Sequence, residues 1–254
     1  MKLVETDDAA RAFGLGEHEL ICLVGGGGKT TLLFAIGRAL GGRIVLTTTT
    51  KMSATRTEGY DVLRGPTDHD IAAITRTTLT WAREEGPKAI GVGPEAVDRW
   101  FDLVDHVIVE ADGARRKPFK APAHYEPVIP TRTTTVIAVI GADALDRVIE
   151  DQCHRPLRVA AAARCSSYDR LTPERAARVL ISANGSRRNV PVTARFVVAI
   201  TKIDADNQSF AERVASEIAG AVDAVVGVRV HRDLETQPDQ RNSGARVPGS
   251  VPRP

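Results

Sequence analysis

The feature that most constrains this chain is a run of four glycines between an apolar stretch and a helix-like segment. Residues 20–36 read LICLVGGGGKTTLLFAI, which predicts a buried strand, a tight turn and a helix in that order. Glycines in such a turn allow backbone N–H groups to wrap closely around a phosphate chain, because no Cβ stands in the way. The order of these elements favours a nucleotide-binding α/β fold.

The residues of this turn can be given roles on a nucleotide. The Lys29 ammonium would reach the β- and γ-phosphates, and the Thr30 hydroxyl would ligate Mg²⁺. The spacing departs from the pattern G-x-x-x-x-G-K-[ST], because Leu23 stands where the first glycine belongs. A flexible glycine turn without a ligand is the alternative. The predicted phosphate-binding residues are Gly25, Gly26, Gly27, Gly28, Lys29, Thr30 and Thr31.

Composition limits the class of protein. The chain has 254 residues, of which 43% are hydrophobic, and this is enough for one large α/β core. A net charge of +2 gives no case for nucleic-acid binding. Three cysteines do not suggest a disulfide scaffold, and no apolar run approaches the ~18 residues that span a bilayer. We expect a cytoplasmic protein without membrane contact.

Short apolar runs alternate with helical patterns, which predicts a doubly wound, mainly parallel sheet of about seven strands, similar to P-loop NTPases. The predicted strands are 20–24, 44–47, 89–92, 107–110, 135–140, 195–201 and 224–230. The predicted helices are 30–40, 68–85, 94–101, 172–182 and 209–221. Residues 1–234 are interpreted as one nucleotide-binding domain with loop insertions at 111–134 and 151–169. Residues 235–254 are predicted to be a disordered tail.

A second part of the site is predicted where the strand 107–110 ends. In phosphate-loop enzymes an acid at such a strand end holds Mg²⁺, directly or through water. Either Glu110 or Asp112 could serve on the metal side, and the other could orient water. Gly113 would let a backbone N–H approach the γ-phosphate. A solvated acidic turn is the alternative. We expect Lys29, Glu110 and Asp112 to be catalytic, and Thr30, Glu110 and Asp112 to hold the metal.

A third part follows the strand 195–201 and concerns the base. Asp204 could accept the two N–H groups on one edge of guanine, and the stem of Lys202 would lie along the base. Thr201 stands where asparagine is commoner in GTPases. A strand end that happens to carry Lys and Asp is the alternative. Thr50 and Lys51, which follow the strand 44–47, would face the γ-phosphate, or they belong to a threonine-rich strand edge.

Several motifs together resemble one protein family. Gly-Gly-Lys-Thr-Thr at 27–31, Thr-Thr-Thr-Thr-Lys-Met at 47–52 and Glu-Ala-Asp-Gly at 110–113 are followed by Lys-Ala-Pro-Ala-His-Tyr-Glu-Pro-Val-Ile-Pro at 120–130 and His-Arg-Pro at 154–156. This set resembles the YqeC-type family, the selenium-dependent molybdenum hydroxylase accessory proteins. The resemblance implies a nucleotide-dependent step in maturing such a hydroxylase, with the enzyme or its maturation factors as partners.

The part of the chain specific to this resemblance carries basic and titratable residues. They could close over the triphosphate, bind a second anion, or form a solvated charged loop. Thiolates at Cys153 and Cys165 would suit selenium transfer, whereas buried hydrophobic roles are the alternative. The candidate substrate or lid residues are Arg115, Arg116, Lys120, His124, Glu126, His154 and Arg155.

The leading hypothesis is a slow P-loop NTPase that uses Mg²⁺ with GTP rather than ATP and assists hydroxylase maturation. A small-molecule kinase is the first alternative. A nucleotide-sensing chaperone with little hydrolysis is the second. The sequence leaves open the selenium species, the partner, the oligomeric state, and the choice between hydrolysis and phosphoryl transfer.

Overall fold

A computed structural model describes residues 1–229, which form fourteen strands and eight α-helices. The strands are β1 (Lys2–Glu5), β2 (Glu19–Gly25), β3 (Ile44–Thr48), β4 (Lys51–Ser53), β5 (Val62–Arg64), β6 (Thr78–Trp81), β7 (Arg83–Glu85), β8 (Lys88–Ile90), β9 (His106–Glu110), β10 (Phe119–Lys120), β11 (Thr135–Gly141), β12 (Cys153–His154), β13 (Arg195–Thr201) and β14 (Ala224–Arg229). The helices are α1 (Ala9–Ala12), α2 (Lys29–Ala39), α3 (Asp68–Ala72), α4 (Pro94–Trp100), α5 (Ile149–Gln152), α6 (Pro156–Ala163), α7 (Pro173–Ile181) and α8 (Gln208–Glu217).

Nine of the strands form one central sheet in the order β1-β14-β13-β11-β2-β9-β3-β6-β5. Every neighbouring pair in this sheet is parallel. The carboxyl ends of the strands therefore lie along one edge, where ligands bind in doubly wound folds. The predicted fold class is confirmed, although the central sheet has nine strands rather than about seven.

Helices cover both faces of the sheet, and the side chains of β2 show how. Ile21 and Leu23 face a core shared with α1 and α2. Leu20, Cys22 and Val24 face the other core, to which α4, α6, α7 and α8 contribute. Because both faces are buried, the strand reads as continuously apolar instead of alternating.

Two smaller sheets extend from this frame. Strands β4, β8 and β7 form an antiparallel sheet, and β10 pairs with β12 in a short parallel ribbon. The ribbon joins the two regions predicted as loop insertions, 111–134 and 151–169, since each contributes one strand to it.

The predicted helix at 68–85 is wrong beyond its first turn. Helix α3 ends at Ala72, and the rest of the predicted helix contains a turn followed by β6 and β7. All four residues of β6, the sequence Thr-Leu-Thr-Trp, are buried. The β-branched and aromatic side chains of this stretch fit a buried strand better than a helix.

The predicted strand at 89–92 lies elsewhere than expected. It forms β8, Lys88–Ile90, in the antiparallel sheet, not a strand of the central one. Strands β1, β5 and β6 form the two ends of the central sheet, and none of them is predicted from the sequence. The predicted disordered tail lies outside the described residues. Within residues 1–229, no helix is both long and apolar enough to cross a membrane.

Candidate functional site

The glycine turn lies at the carboxyl edge of the sheet, next to the ends of several strands. Strand β2 runs into it, and Lys29 begins α2 directly after it. Parallel pairing sets Glu110 of β9 beside Leu23 on one side and beside Thr48 of β3 on the other. The structure thus brings together the glycine turn, the acidic strand end and the start of the threonine run.

Internal packing accounts for three of the four glycines. A Cβ on Gly25 would lie 2.3 Å from the carbonyl oxygen of Val139, and one on Gly26 would lie 2.6 Å from that of Lys117. A Cβ on Gly27 would lie 2.2 Å from the backbone nitrogen of Gly141. Glycine at these positions is therefore required by the fold whether or not a phosphate binds.

The start of α2 offers the unpaired donors that an anion requires. Within residues 1–229, the backbone N–H groups of Gly28, Lys29 and Thr30 donate no hydrogen bond. Gly28 has a φ of 119° and caps the helix without a side chain. Free N–H groups and the positive end of the helix dipole favour an anion here.

The Lys29 ammonium is buried and lies between the glycine turn and two acids. It donates to the carbonyl oxygen of Gly25 at 2.6 Å and lies 3.2 Å from Oδ1 of Asp112 and 3.8 Å from Oε1 of Glu110. Burial lowers the pKa of Lys29, but the carboxylates of Asp112 and Glu110 outweigh it, so the net shift is upward. Lys29 is therefore held as a cation.

The two acids differ in how fully they are engaged. Asp112 accepts the N–H of Gly25 at 3.1 Å with both carboxylate oxygens and is paired with Lys29 and Lys120. Glu110 accepts the Thr30 hydroxyl at 2.7 Å on Oε2, and among the described residues its other oxygen contacts only the Lys29 ammonium, at 3.8 Å. Glu110 and Thr30 are thus the oxygen pair best placed for a hard cation.

A row of alternating charges continues from this site toward the surface. The Lys120 ammonium lies 3.1 Å from Oδ2 of Asp112 and 2.7 Å from Oε2 of Glu126. Arg155 closes the row by holding both carboxylate oxygens of Glu126, at 2.7 and 3.2 Å. Burial raises the pKa of Glu126, but the hydrogen bonds and charges of Lys120 and Arg155 bring it below its usual value. The sequence predicts these residues as substrate or lid residues and does not indicate that they are connected to the glycine turn.

The third motif reaches the glycine turn through Thr201. Its hydroxyl donates to the carbonyl oxygen of Gly27. Lys202 has a left-handed backbone, and its ammonium lies 2.9 Å from Asp143. Asp204 is exposed, and its Oδ1 accepts the N–H groups of residues 206 and 207 at 3.0 and 3.1 Å. One oxygen of Asp204 thus stabilises its own turn, while the other has no partner within residues 1–229.

The last two residues of the segment 47–51, Thr50 and Lys51, lie in different parts of the structure. The Thr48 hydroxyl donates to the carbonyl oxygen of Glu110 at 2.7 Å and accepts the N–H of Thr50 at 3.1 Å, which keeps Thr50 near the acidic strand end. Lys51 is exposed and pairs with Glu85 of the antiparallel sheet at 3.2 Å. The structure therefore does not bring the Lys51 ammonium to the glycine turn.

The remaining candidate residues lie around the β10–β12 ribbon. The ribbon sets His154 beside Lys120, and Arg155 follows directly. Arg115 and Arg116 are exposed, and His124 is exposed next to Tyr125. Gly113 accepts a hydrogen bond from Lys120 on its carbonyl oxygen at 2.7 Å.

The cysteines do not support thiolate chemistry. Burial raises the pKa of Cys153 to about 12, and it also raises the pKa of Cys165. Cys22 lies within β2, where burial raises its pKa to about 12. Near neutral pH all three therefore remain thiols, which are poor nucleophiles.

Two residues at this edge were missed by sequence reasoning. Asp143 binds Lys202, and Arg56 donates to the Thr31 hydroxyl at 3.3 Å while lying over the ring of Phe34. Asp143 follows the end of β11, a strand that was predicted. An acidic residue just after a predicted strand was the sequence signal that could have identified Asp143.

Comparison with known proteins gives a family and no solved structure. The family model described as YqeC protein matches residues 21–157, more than half of the chain. The uncharacterized protein YqeC of Escherichia coli (strain K12) is 34% identical over 174 residues, covering 59% of this chain and 63% of that protein. The match thus spans less than two thirds of the relative's length. No solved structure matches this chain.

Proposed function

This chain belongs to the YqeC family, and we propose that it binds a magnesium nucleoside triphosphate at its glycine turn. The observation that carries the proposal is the group formed by the unpaired N–H donors at the start of α2, the buried Lys29 ammonium and the Thr30–Glu110 oxygen pair. Each of these groups matches one need of a triphosphate with its cation.

A divalent cation fits the Thr30–Glu110 pair only with help from the nucleotide. The two oxygens lie 2.7 Å apart, and both are hard donors. Within residues 1–229, no group of three His, Cys, Asp or Glu side chains could hold a metal. Phosphate oxygens and water would complete the coordination, as is usual for Mg²⁺ at a nucleotide. When bound, the cation would neutralise phosphate charge.

Side chains and backbone groups of the protein would then bind and orient the phosphates. Lys29 would leave the carbonyl oxygen of Gly25 to contact phosphate oxygens, and the free N–H groups of Gly28 and Thr30 would fix their orientation. Asp112 would stay as the anchor between Lys29 and Lys120, because its oxygens are already engaged. Hydrolysis would be slow, because within residues 1–229 no glutamine belongs to the glycine turn or to the ends of β3 and β9 to orient water.

We further propose that GTP is preferred and that turnover assists the maturation of a selenium-dependent molybdenum hydroxylase. The first part is supported by the unpaired oxygen of Asp204 and by the Thr201 link to the glycine turn. The second part is supported only by the resemblance of the motifs at 110–113 and 120–130. A small-molecule kinase is the alternative that the exposed arginines at 115 and 116 favour.

Titration calorimetry with GTP and ATP, each with and without Mg²⁺, tests the nucleotide site. The Glu110→Gln variant should lose at least tenfold in affinity with Mg²⁺ and much less without it. Lys88→Ala, which removes an exposed lysine, is the control and should bind as the wild type does. Absence of binding to the folded wild-type protein would overturn the proposal. Labelled γ-phosphate, recovered either free or on a small molecule, separates hydrolysis from the kinase alternative.

A further inference from the structure

The loop between β4 and β5, residues 54–61, packs against one side of α2. The ring of Tyr60 in this loop stacks on the ring of Phe34 in the helix, with the ring centres 5.9 Å apart and the planes 10° from parallel. Near the last turn of the helix, the Arg38 guanidinium lies 3.7 Å from a carboxylate oxygen of Glu58. These contacts fix the loop along α2.

Arg56 is the residue of this loop that contacts the start of α2. Its guanidinium donates to the Thr31 hydroxyl at 3.3 Å, and its Nε donates to Glu58 at 2.9 Å. It also lies over the ring of Phe34, 5.6 Å from the ring centre. The three contacts determine the direction of the guanidinium and hold it beside the first turn of the helix, next to the glycine turn.

The Arg56 guanidinium has donors to spare. An arginine side chain carries five N–H groups, and Thr31 and Glu58 use one each. The other three donate no hydrogen bond within residues 1–229. The side chain is 44% exposed, so a ligand can reach it from solvent. Because a planar guanidinium binds phosphate oxygens in pairs, Arg56 is suited to a phosphate group.

Arg56 and Lys29 lie on different sides of the first turn of α2. Successive helix residues are about 100° apart around the axis, so Thr31 points away from the side of Lys29. Lys29 lies with Glu110 and Asp112, whereas Arg56 lies on Thr31. The backbone N–H of Thr31 is also without an acceptor in the described chain. An anion that extends across this turn therefore meets one cation on each side.

We propose that Arg56 binds the α-phosphate, the one attached to the nucleoside, at the end of the phosphate chain opposite Lys29. This role rests on the proposed function, in which Lys29 and the cation at Thr30 and Glu110 engage the β- and γ-phosphates. The α-phosphate then falls on the side of the turn where Thr31 and Arg56 lie. A nucleoside diphosphate has the same α-phosphate, so Arg56 should contribute equally to the binding of GDP and GTP.

Titration calorimetry with GTP and with GDP tests this role. Arg56→Ala should weaken the binding of both nucleotides at least tenfold, because hydrogen bonds between charged groups are lost. Arg56→Lys keeps the charge without the planar fork and should bind both about threefold more weakly than the wild type. Arg38→Ala is the matched control, since it removes the other contact of α2 with Glu58 but lies away from the turn, and it should change both affinities less than twofold. Circular dichroism shows whether each variant is folded, and Arg56→Lys decides if Arg56→Ala is not.

Equal binding by the wild type and the folded Arg56 variants would overturn the role of Arg56 and leave the proposed function standing. An equal loss in Arg38→Ala would overturn it too, because the effect would then come from the docking of the whole loop. A loss for GTP without a loss for GDP would place Arg56 at the γ-phosphate and contradict the proposal. If the folded wild-type protein binds neither nucleotide, the proposed function fails, and the role of Arg56 fails with it.

Discussion

Lys120 lies 3.1 Å from Asp112, and both side chains are almost completely buried. The contact joins a residue just past the carboxyl end of β9 to the β10–β12 ribbon. Because Lys29 lies 3.2 Å from the other oxygen of Asp112, one carboxylate holds two ammonium groups. The glycine turn and the ribbon are thereby parts of one electrostatic unit.

Replacing Lys120 by alanine should destabilise the protein by about 3 kcal/mol or more, because it leaves Asp112 and Glu126 buried without their shared partner. Urea unfolding followed by circular dichroism gives the free energy of unfolding. The exposed Lys88→Ala control should stay within about 0.5 kcal/mol of the wild type. A cost for Lys120→Ala as small as that of the control would show that the buried row does not stabilise the fold.

Replacing two glycines at the site by alanine should affect the stability of the protein to different extents. Gly27→Ala places a Cβ 2.2 Å from the backbone of Gly141 at a φ of 86°, and we expect a loss of roughly 2–4 kcal/mol. Gly113→Ala meets nothing within 4 Å and should unfold within about 1 kcal/mol of the wild type. Thermal and urea unfolding of both variants checks the contrast. Equal stability of the two would contradict the packing described at Gly27.

Gly113→Ala also bears on nucleotide binding. Because the variant should keep its fold, any change in its affinity for a triphosphate reports on the approach of the residue 113 backbone to the γ-phosphate. A fall in affinity for GTP with unchanged affinity for GDP would support that approach. Equal affinities of wild type and variant for GTP would remove Gly113 from the predicted phosphate-binding residues.

Asp204→Asn should lower the affinity for GTP about tenfold or more and leave that for ATP unchanged, since a hydrogen bond to a charged group contributes about 1.5–3 kcal/mol. Asparagine keeps an oxygen that can accept the N–H groups of residues 206 and 207, so the turn should persist. Competition between the two nucleotides measures the preference. A clear preference of the wild type for ATP would refute the guanine role of Asp204.

His154 should make the stability depend on pH. The pKa of its ring is about 4 in the folded protein, lowered by burial and then by Arg155, Lys120 and Arg115, while Glu126 acts in the opposite direction. The unfolded chain, with a pKa near 6.5, binds a proton first as the pH falls. Stability should therefore decrease from about pH 6.5 to pH 4, by roughly 1 kcal/mol once solvent screening of the half-exposed ring is allowed for.

His154→Gln should remove this part of the pH dependence, measured as the difference between urea unfolding curves at pH 7 and pH 4.5. His69→Gln, which replaces an exposed ring, should keep the wild-type difference. If both variants follow the wild type, the His154 ring is not held neutral by its surroundings.

Sequence reasoning recovered the parts of the fold whose signals are local. Strand β2 and helix α2 form a continuous apolar run followed by a turn and a helix, and both occur as predicted to within one residue. Strand β6 was missed because it lies within the predicted helix 68–85. Its position in the sheet is determined by pairing with β3 and β5. That pairing joins segments far apart in the chain, so local sequence patterns do not reveal it.

The roles of individual site residues could be predicted from the sequence, but the contacts between their side chains could not. The roles expected of Lys29, Thr30 and Glu110 depend on residue type and strand order, which the sequence contains. The row through Lys120, Glu126 and Arg155 depends on side-chain distances between residues that are 6 and 29 positions apart in the chain, and no spacing rule predicts these distances. The misplacement of Lys51 has the same origin, because its partner Glu85 belongs to a sheet that was not expected.

The β10–β12 ribbon has a consequence for how this protein varies among organisms. Each of its strands has only the other as a partner within the described chain, and the Glu126–Arg155 pair binds the same two segments together. A lineage that lost either segment would leave buried charge on the other uncompensated. The two segments should therefore be retained or lost together, and substitutions at 126 and 155 should be inherited as a pair.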